Sequence, residues 1–138
     1  MQIVIIAQDE KKELMTEFCI AYYGTLSKHQ LCSTGTTGKI IAEATGLEIE
    51  QLLPGEGGGV QQIASRISYN EVDAVFFFRN SSLENSFSEF DLTLLRLCDT
   101  YNVPIATNIA TAEALVLALD RGDLDWRKNM KNAPKAEA

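Results

Sequence analysis

The chain has 138 residues, 46% of them apolar and 22% charged, and a formal net charge of -7. That length and composition fit one globular domain and exclude disorder over the body of the chain. No apolar run approaches the ~20 residues of a membrane-spanning helix, and the opening MQIVIIAQDE lacks a basic n-region and the apolar length of a signal peptide. The sequence therefore predicts a soluble cytoplasmic protein with no membrane partner.

The charge is unevenly placed. Residues 127–138 carry +3, from Arg127, Lys128, Lys131 and Lys135 against Glu137, which leaves -10 on residues 1–126. So acidic a body is unsuited to nucleic acid, whose phosphates need a basic surface. An anion site must be small and local. Cys19, Cys32 and Cys98 are three widely spaced cysteines without a C-x-x-C pair, which points to core thiols and not to disulfides or zinc. His29 is the one histidine. No metal-ligand motif is present, and no cofactor is called for.

Taken in order, Gln2 to Ala7 is a continuous apolar, largely β-branched run, the pattern of a buried parallel strand. A helix is predicted from about Glu10 to Gly24, with Met15, Phe18, Cys19 and Tyr22 on one face. Gln30 to Thr34 is a second strand. Thr36 to Ala44 is a short helix ended by Gly46. Glu48 to Leu53 is a third strand, and Pro54 to Gly59 (PGEGGG) a glycine-rich turn. The next helix has Val60, Ile63, Ala64 and Ile67 along one stripe. Asp73 to Phe78 is the fourth and most apolar strand, followed by a polar loop from Asn80 to Ser88. Phe90, Leu94, Leu97, Cys98 and Tyr101 mark a helix, Val103 to Ala106 a fifth strand, and Thr111 to Leu119 a last helix. One domain over residues 1–125 is expected, with a polar tail over 126–138 that frays from about Lys128.

Strands alternating with helices predict an α/β fold, an open five-stranded parallel sheet doubly wound with helices on both faces. Ligands of such sheets bind outside the carboxyl ends of the strands. At the end of strand two, Thr34-Gly35-Thr36-Thr37-Gly38 opens a helix. Glycines there allow close backbone approach, and helix amides with threonine hydroxyls donate to anionic oxygens. The same residues also read, with equal weight, as an ordinary helix cap with a tight turn. Lys12 lies one turn past strand one beside Asp9. It can supply a point charge to a phosphate, or be a solvated lysine with Asp9 as a cap. The PGEGGG turn places further amides at the end of strand three.

The segments Gln8-Asp9 with Lys12, Cys32 to Gly38, Ala44 to Leu47, Gly55 with Gly58 to Ile63, Leu94 to Arg96 and Val103 to Ala112 together resemble the methylglyoxal synthase family, over about Ile3 to Leu119. The resemblance implies a parallel sheet in the order 3-2-1-4-5 and a hexamer. It implies elimination of phosphate from dihydroxyacetone phosphate: a carboxylate removes a proton beside the carbonyl, and the ene-diolate expels phosphate. It extends to related effector-binding domains that lack this chemistry. The family's phosphate-binding positions fall on Lys12, Thr34, Gly35, Thr36, Thr37 and Gly55. Its acid-base positions are mostly substituted. The strand-one histidine is Gln8, the base position is Val60, and an aspartate after strand four is Asn80. In the following loop Phe87 and Phe90 stand for a histidine and an aspartate. Pro54 replaces a serine. Asp9 alone is unchanged and is the candidate catalytic residue. Glu56, Glu84, Glu89 and Asp91 are carboxylates in nearby segments. Arg96 matches a family arginine and reads as an inter-subunit or effector contact, or as a solvated helix charge.

Two functions fit these residues. One is a protein that binds a small phosphate ester, assembles as a homo-oligomer, and has weak or absent lyase activity. The other is an active carbon–oxygen lyase of the methylglyoxal synthase type. A phospho-receiver domain is excluded, because it needs an aspartate and a lysine where Pro54 and Asn108 stand.

Overall fold

A computed structural model describes residues 1–54, 57–80 and 87–132. Five strands, β1 (Gln2–Ala7), β2 (Gln30–Thr34), β3 (Ile49–Leu52), β4 (Ala74–Phe78) and β5 (Ile105–Ala106), form one sheet in the order β3-β2-β1-β4-β5. Every neighbouring pair is parallel. The predicted class and the order implied by the resemblance are both observed.

The helices are α1 (Lys12–Ala21), preceded by a 3-10 turn at Asp9–Lys11, then α2 (Tyr23–Leu26), α3 (Gly35–Thr45), α4 (Gly59–Ser68), α5 (Glu89–Thr100), α6 (Ile109–Arg121) and α7 (Arg127–Asn132). Strand alternation divides the core in two. Ile3, Ile5, Phe76 and Phe78 pack with Met15, Phe18, Ile41 and Val116 on one face. Val4, Ile6, Val75 and Phe77 pack with Ile63, Ile67, Leu94 and Cys98 on the other. β4 is apolar throughout because both its faces are covered, and all five of its residues are buried. Phe18 lies 5.3 Å from the Phe76 ring and 5.8 Å from that of Phe78. Each such buried aromatic contributes roughly 1.5–3 kcal/mol. The three cysteines are free and buried. Burial pushes the Cys19 and Cys98 thiols up to about 12, as suits inert core residues.

α6 is two residues longer at each end than the helix read over Thr111 to Leu119, and the observed elements differ from the sequence reading in four further places. The first helix begins as a 3-10 turn, breaks at Tyr22 and resumes through Gly24, which does not end it. β3 is shorter at both ends than Glu48 to Leu53. β5 starts only at Ile105, because Pro104 has no amide to donate, although its carbonyl accepts from the Val75 amide at 2.9 Å. The fourth difference is in the segment read as a polar tail, which begins with α7.

Arg127 is 2% exposed. Its Nε lies 3.2 Å from Asp73 Oδ1, while its two terminal nitrogens donate to the Asn102 and Val72 carbonyls at 2.5 and 3.1 Å. The other Asp73 oxygen accepts from the Gln2 amide at 2.8 Å. A carboxylate buried at the entrance to β4 needs a counter-charge, and the polar composition of the last residues concealed its source. Arg127→Met takes the guanidinium away from the buried Asp73 carboxylate. It should cost about 3–5 kcal/mol, read as a lower urea midpoint. Adding Asp73→Asn should recover part of that loss.

Candidate functional site

The sheet reverses its direction of winding between β1 and β4, and a crevice at the carboxyl ends is expected there. The chain leaves β1 at Gln8. Its amide donates to the Phe78 carbonyl at 2.9 Å. Its side-chain Oε1 accepts from the Asn80 amide at 2.6 Å. Gln8 and Asn80 are thus bonded to each other across the point where the winding reverses.

Lys12 Nζ sits 2.8 Å from Asp9 Oδ1 and donates to Thr36 Oγ1 at 3.1 Å. The Lys12 hydrogen bond, and then its charge, hold the Asp9 carboxyl below the usual carboxylate range. The carboxylate therefore stays ionised at lower pH than a free aspartate, and protonation loosens its pairing with Lys12 as pH falls through that lowered pKa. Its side chain is 88% exposed, against 21% for Lys12.

Residues 34–38 form the start of α3. Thr34 is the N-cap, yet its side chain makes no capping bond to the helix. Thr36 is exposed and Thr37 buried. The Thr37 hydroxyl donates to the Ala7 carbonyl at 3.4 Å, which ties the first turn of α3 to the end of β1. The structure therefore brings Lys12, Thr36 and the α3 amino terminus together, and turns Thr37 inward. Gly35 has φ +49°, and a Cβ there would lie 3.3 Å from Pro54 Cα. Gly38 lies against Ser33 and Ile49, 3.1 and 3.3 Å from where its Cβ would stand, so α3 packs closely on the sheet. Gly55, Glu56 and Glu84 lie outside the described residues.

Val60, Phe87 and Phe90 lie on α4, before α5 and on α5. Val60 is half-buried in the first turn of α4. Phe90 packs on the core built from Val4, Ile6, Val75 and Phe77, its ring 6.1 Å from that of Phe77. Phe87 is half-exposed, with the Arg79 guanidinium 4.0 Å from its ring centre. Arg79 Nε is also 3.5 Å from Asp91 Oδ2. Asp91 is buried and forms a reciprocal cap with Ser88. It is committed to its own helix, and Glu89 is exposed. Arg96 is exposed. Asn108 caps α6 by accepting from the Thr111 amide at 3.0 Å.

Arg79 and the Gln8–Asn80 bond were not singled out by sequence reasoning. A lone arginine directly after an all-apolar strand, and Ser88 spaced three residues before Asp91, were the available signals. A surface cavity of about 930 Å³ lies elsewhere, among Tyr23, His29, Gln30 and Glu48 at the amino ends of the strands. The carboxyl-end crevice carries the helix amino terminus and the cations, so it is the better candidate for anion chemistry. Among the described residues no helix is long and apolar enough to cross a membrane.

The sheet order, with a helix amino terminus and a lysine beside the winding reversal, defines a doubly wound α/β domain. Residues 15–107 match the MGS-like domain family. A protein named methylglyoxal synthase from Caldicellulosiruptor saccharolyticus is 57% identical over 128 residues, 93% of this chain and 91% of that protein. One of the same name from Listeria welshimeri is 50% identical over 132 residues, 96% and 98% of the two chains. The crystal structure of methylglyoxal synthase from Elizabethkingia anophelis NUHP1 superposes with a TM-score of 0.74 at 35% identity, over 83% of this chain and 76% of that one. The chain belongs to the methylglyoxal synthase family.

The left-handed backbone at Gly35 sets the direction in which α3 presents its first amides. Gly35→Ala should destabilise the fold by roughly 1–2 kcal/mol, measured by urea unfolding. Its response to inorganic phosphate in a thermal melt should shrink at the same time.

Proposed function

We propose that this chain is a cytoplasmic, homo-oligomeric member of the family that binds a small phosphate ester and has weak or absent lyase activity. The reading rests on the state of the substituted positions. Val60 and Phe90 are absorbed by packing, Gln8 is bonded to Asn80, and Phe87 stacks with Arg79. None of these side chains can take a proton from carbon, as the family reaction requires. Lys12 and Thr36, by contrast, converge beside the α3 amino terminus. A phosphate there would meet an ammonium, a hydroxyl and helix amides, with Thr34 and Gly35 contributing at the same turn. The hexamer implied by the family resemblance is supported by exposed Ile20, Tyr23 and Ile40, which offer apolar surface for burial between copies.

The alternative, an active synthase eliminating phosphate from dihydroxyacetone phosphate, is favoured by the names of the relatives. In that reading Asp9 is the remaining carboxylate. Its lowered pKa makes it a weaker base than an ordinary aspartate.

Binding and turnover are separately measurable. Inorganic phosphate at ~100 times its dissociation constant should add ~2.7 kcal/mol of stability, seen as a raised melting temperature. Lys12→Ala and Thr36→Ala should each blunt that rise. Indifference of the wild-type protein to millimolar phosphate would remove the binding reading. Incubated with dihydroxyacetone phosphate, the purified protein should form methylglyoxal and release phosphate near background. Loss of a positioned base costs ~10²–10⁴ in rate, and Val60→Asp alone should recover little, since Phe87 and Phe90 remain. Robust wild-type turnover that Asp9→Asn abolishes would establish the synthase instead.

A further inference from the structure

A cavity of about 520 Å³ opens at the carboxyl ends of β4 and β5, beside the phosphate crevice. Its walls include Leu14, Phe87 and Ile109, and its polar groups include Lys11, Arg79 and Asn108. The volume is that of a small-molecule pocket, and apolar walls with a few placed polar groups are the usual composition of one.

Its electrostatics are specific. Arg79 is held in place from two sides, with Phe87 under its guanidinium and Asp91 at its Nε edge. Nε nevertheless has no hydrogen-bond partner. The Asp91 oxygen that faces it already accepts from the Ser88 amide at 3.1 Å, so the carboxylate is shared between the helix cap and the arginine. Lys11 is half-buried and, among the described residues, forms no ion pair. Lys11 and Arg79 against Asp91 leave a formal charge of +1 on an apolar pocket, within a chain whose overall charge is -7. A single positive charge balances a monoanion and not a dianion. Nε is buried against Asp91, but among the described residues the two terminal nitrogens of Arg79 make no hydrogen bond, and their paired N–H groups match the planar, two-oxygen geometry of a carboxylate. Asn108 uses its Oδ1 to cap α6, which leaves its amide nitrogen as a neutral donor.

We propose that this pocket binds a small organic monocarboxylate with an aromatic or branched apolar body, the acid held by Arg79 and Lys11 and the body packed against Leu14, Phe87 and Ile109. The site is independent of the phosphate reading, because Lys12 and Thr36 take no part in it.

The test is calorimetric titration of the full chain with 3-phenylpropionate, indole-3-acetate and 4-methylpentanoate, with 3-phenylpropanamide as the uncharged counterpart and inorganic phosphate as a separate arm. At least one acid should bind saturably below about 10 mM, and 3-phenylpropanamide should bind roughly tenfold or more weakly than 3-phenylpropionate. Arg79→Gln should weaken the acid by roughly tenfold. Lys11→Gln and Phe87→Ala should each weaken it by a few-fold. These last two alter half-buried or exposed side chains and carry the test if Arg79→Gln does not fold. Lys12→Ala should lose the phosphate response and keep the carboxylate. No saturable binding of any of the three acids, or equal binding of acid and amide, overturns the proposal. So does a Lys11→Gln protein with unchanged acid affinity. Acid binding lost in Lys12→Ala would assign the acids to the phosphate crevice and overturn it too.

Discussion

The bond from Gln8 to Asn80 governs the shape of everything at the functional end. β1 and β4 lie side by side in the sheet, but the chain turns away from them toward opposite faces. The Gln8 amide on the Phe78 carbonyl and the Gln8 side chain on the Asn80 amide hold both exits together. Lys12 and Asp9 then fall on one side, and Arg79 with Phe87 on the other. The amide of a glutamine does not ionise, so this one tie does not depend on pH. A histidine at the same place would exchange that constancy for a titrating group.

The fold was legible in the sequence because each strand was labelled twice, once by its own apolar run and once by the helix that follows it. β1, β2 and the all-apolar β4 required burial on both faces, and only a parallel sheet with two helical layers provides that. Element ends were less legible. Pro104 hid the start of β5, and Tyr22 broke a helix whose apolar spacing was otherwise continuous. The candidate site was legible in part. The Thr34–Gly38 motif announced a helix opening on the crevice, and its glycines have the backbone and packing reasons expected of such a turn. What periodicity could not convey was direction. Thr36 and Thr37 are neighbours of the same chemistry, yet one faces solvent and the other bonds to the end of β1. The pairings Arg79–Asp91 and Arg127–Asp73 join residues 12 and 54 positions apart, and nothing local marks them.

The two halves of the crevice differ in chemical character. On the β1 and β2 side, small hydroxyls, glycines and a lysine leave room for an oxyanion. On the β4 side, phenylalanines and a stacked arginine make a drier wall. Aromatic side chains there take no part in proton transfer and enlarge the apolar contact a ligand can make. The same side chains thus enter both the proposed function and the proposed second pocket.

The arginine that neutralises Asp73 lies within a dozen residues of the end of the chain. Synthesis runs from the amino terminus, so a growing chain contains β1 to β5 and the buried carboxylate before it contains the partner of that carboxylate. Until Arg127 emerges, Asp73 lacks the guanidinium that its buried position calls for. A chain cut just before α7 would carry all five strands and the candidate site residues, and its weakness would lie at the start of β4 and not in the site.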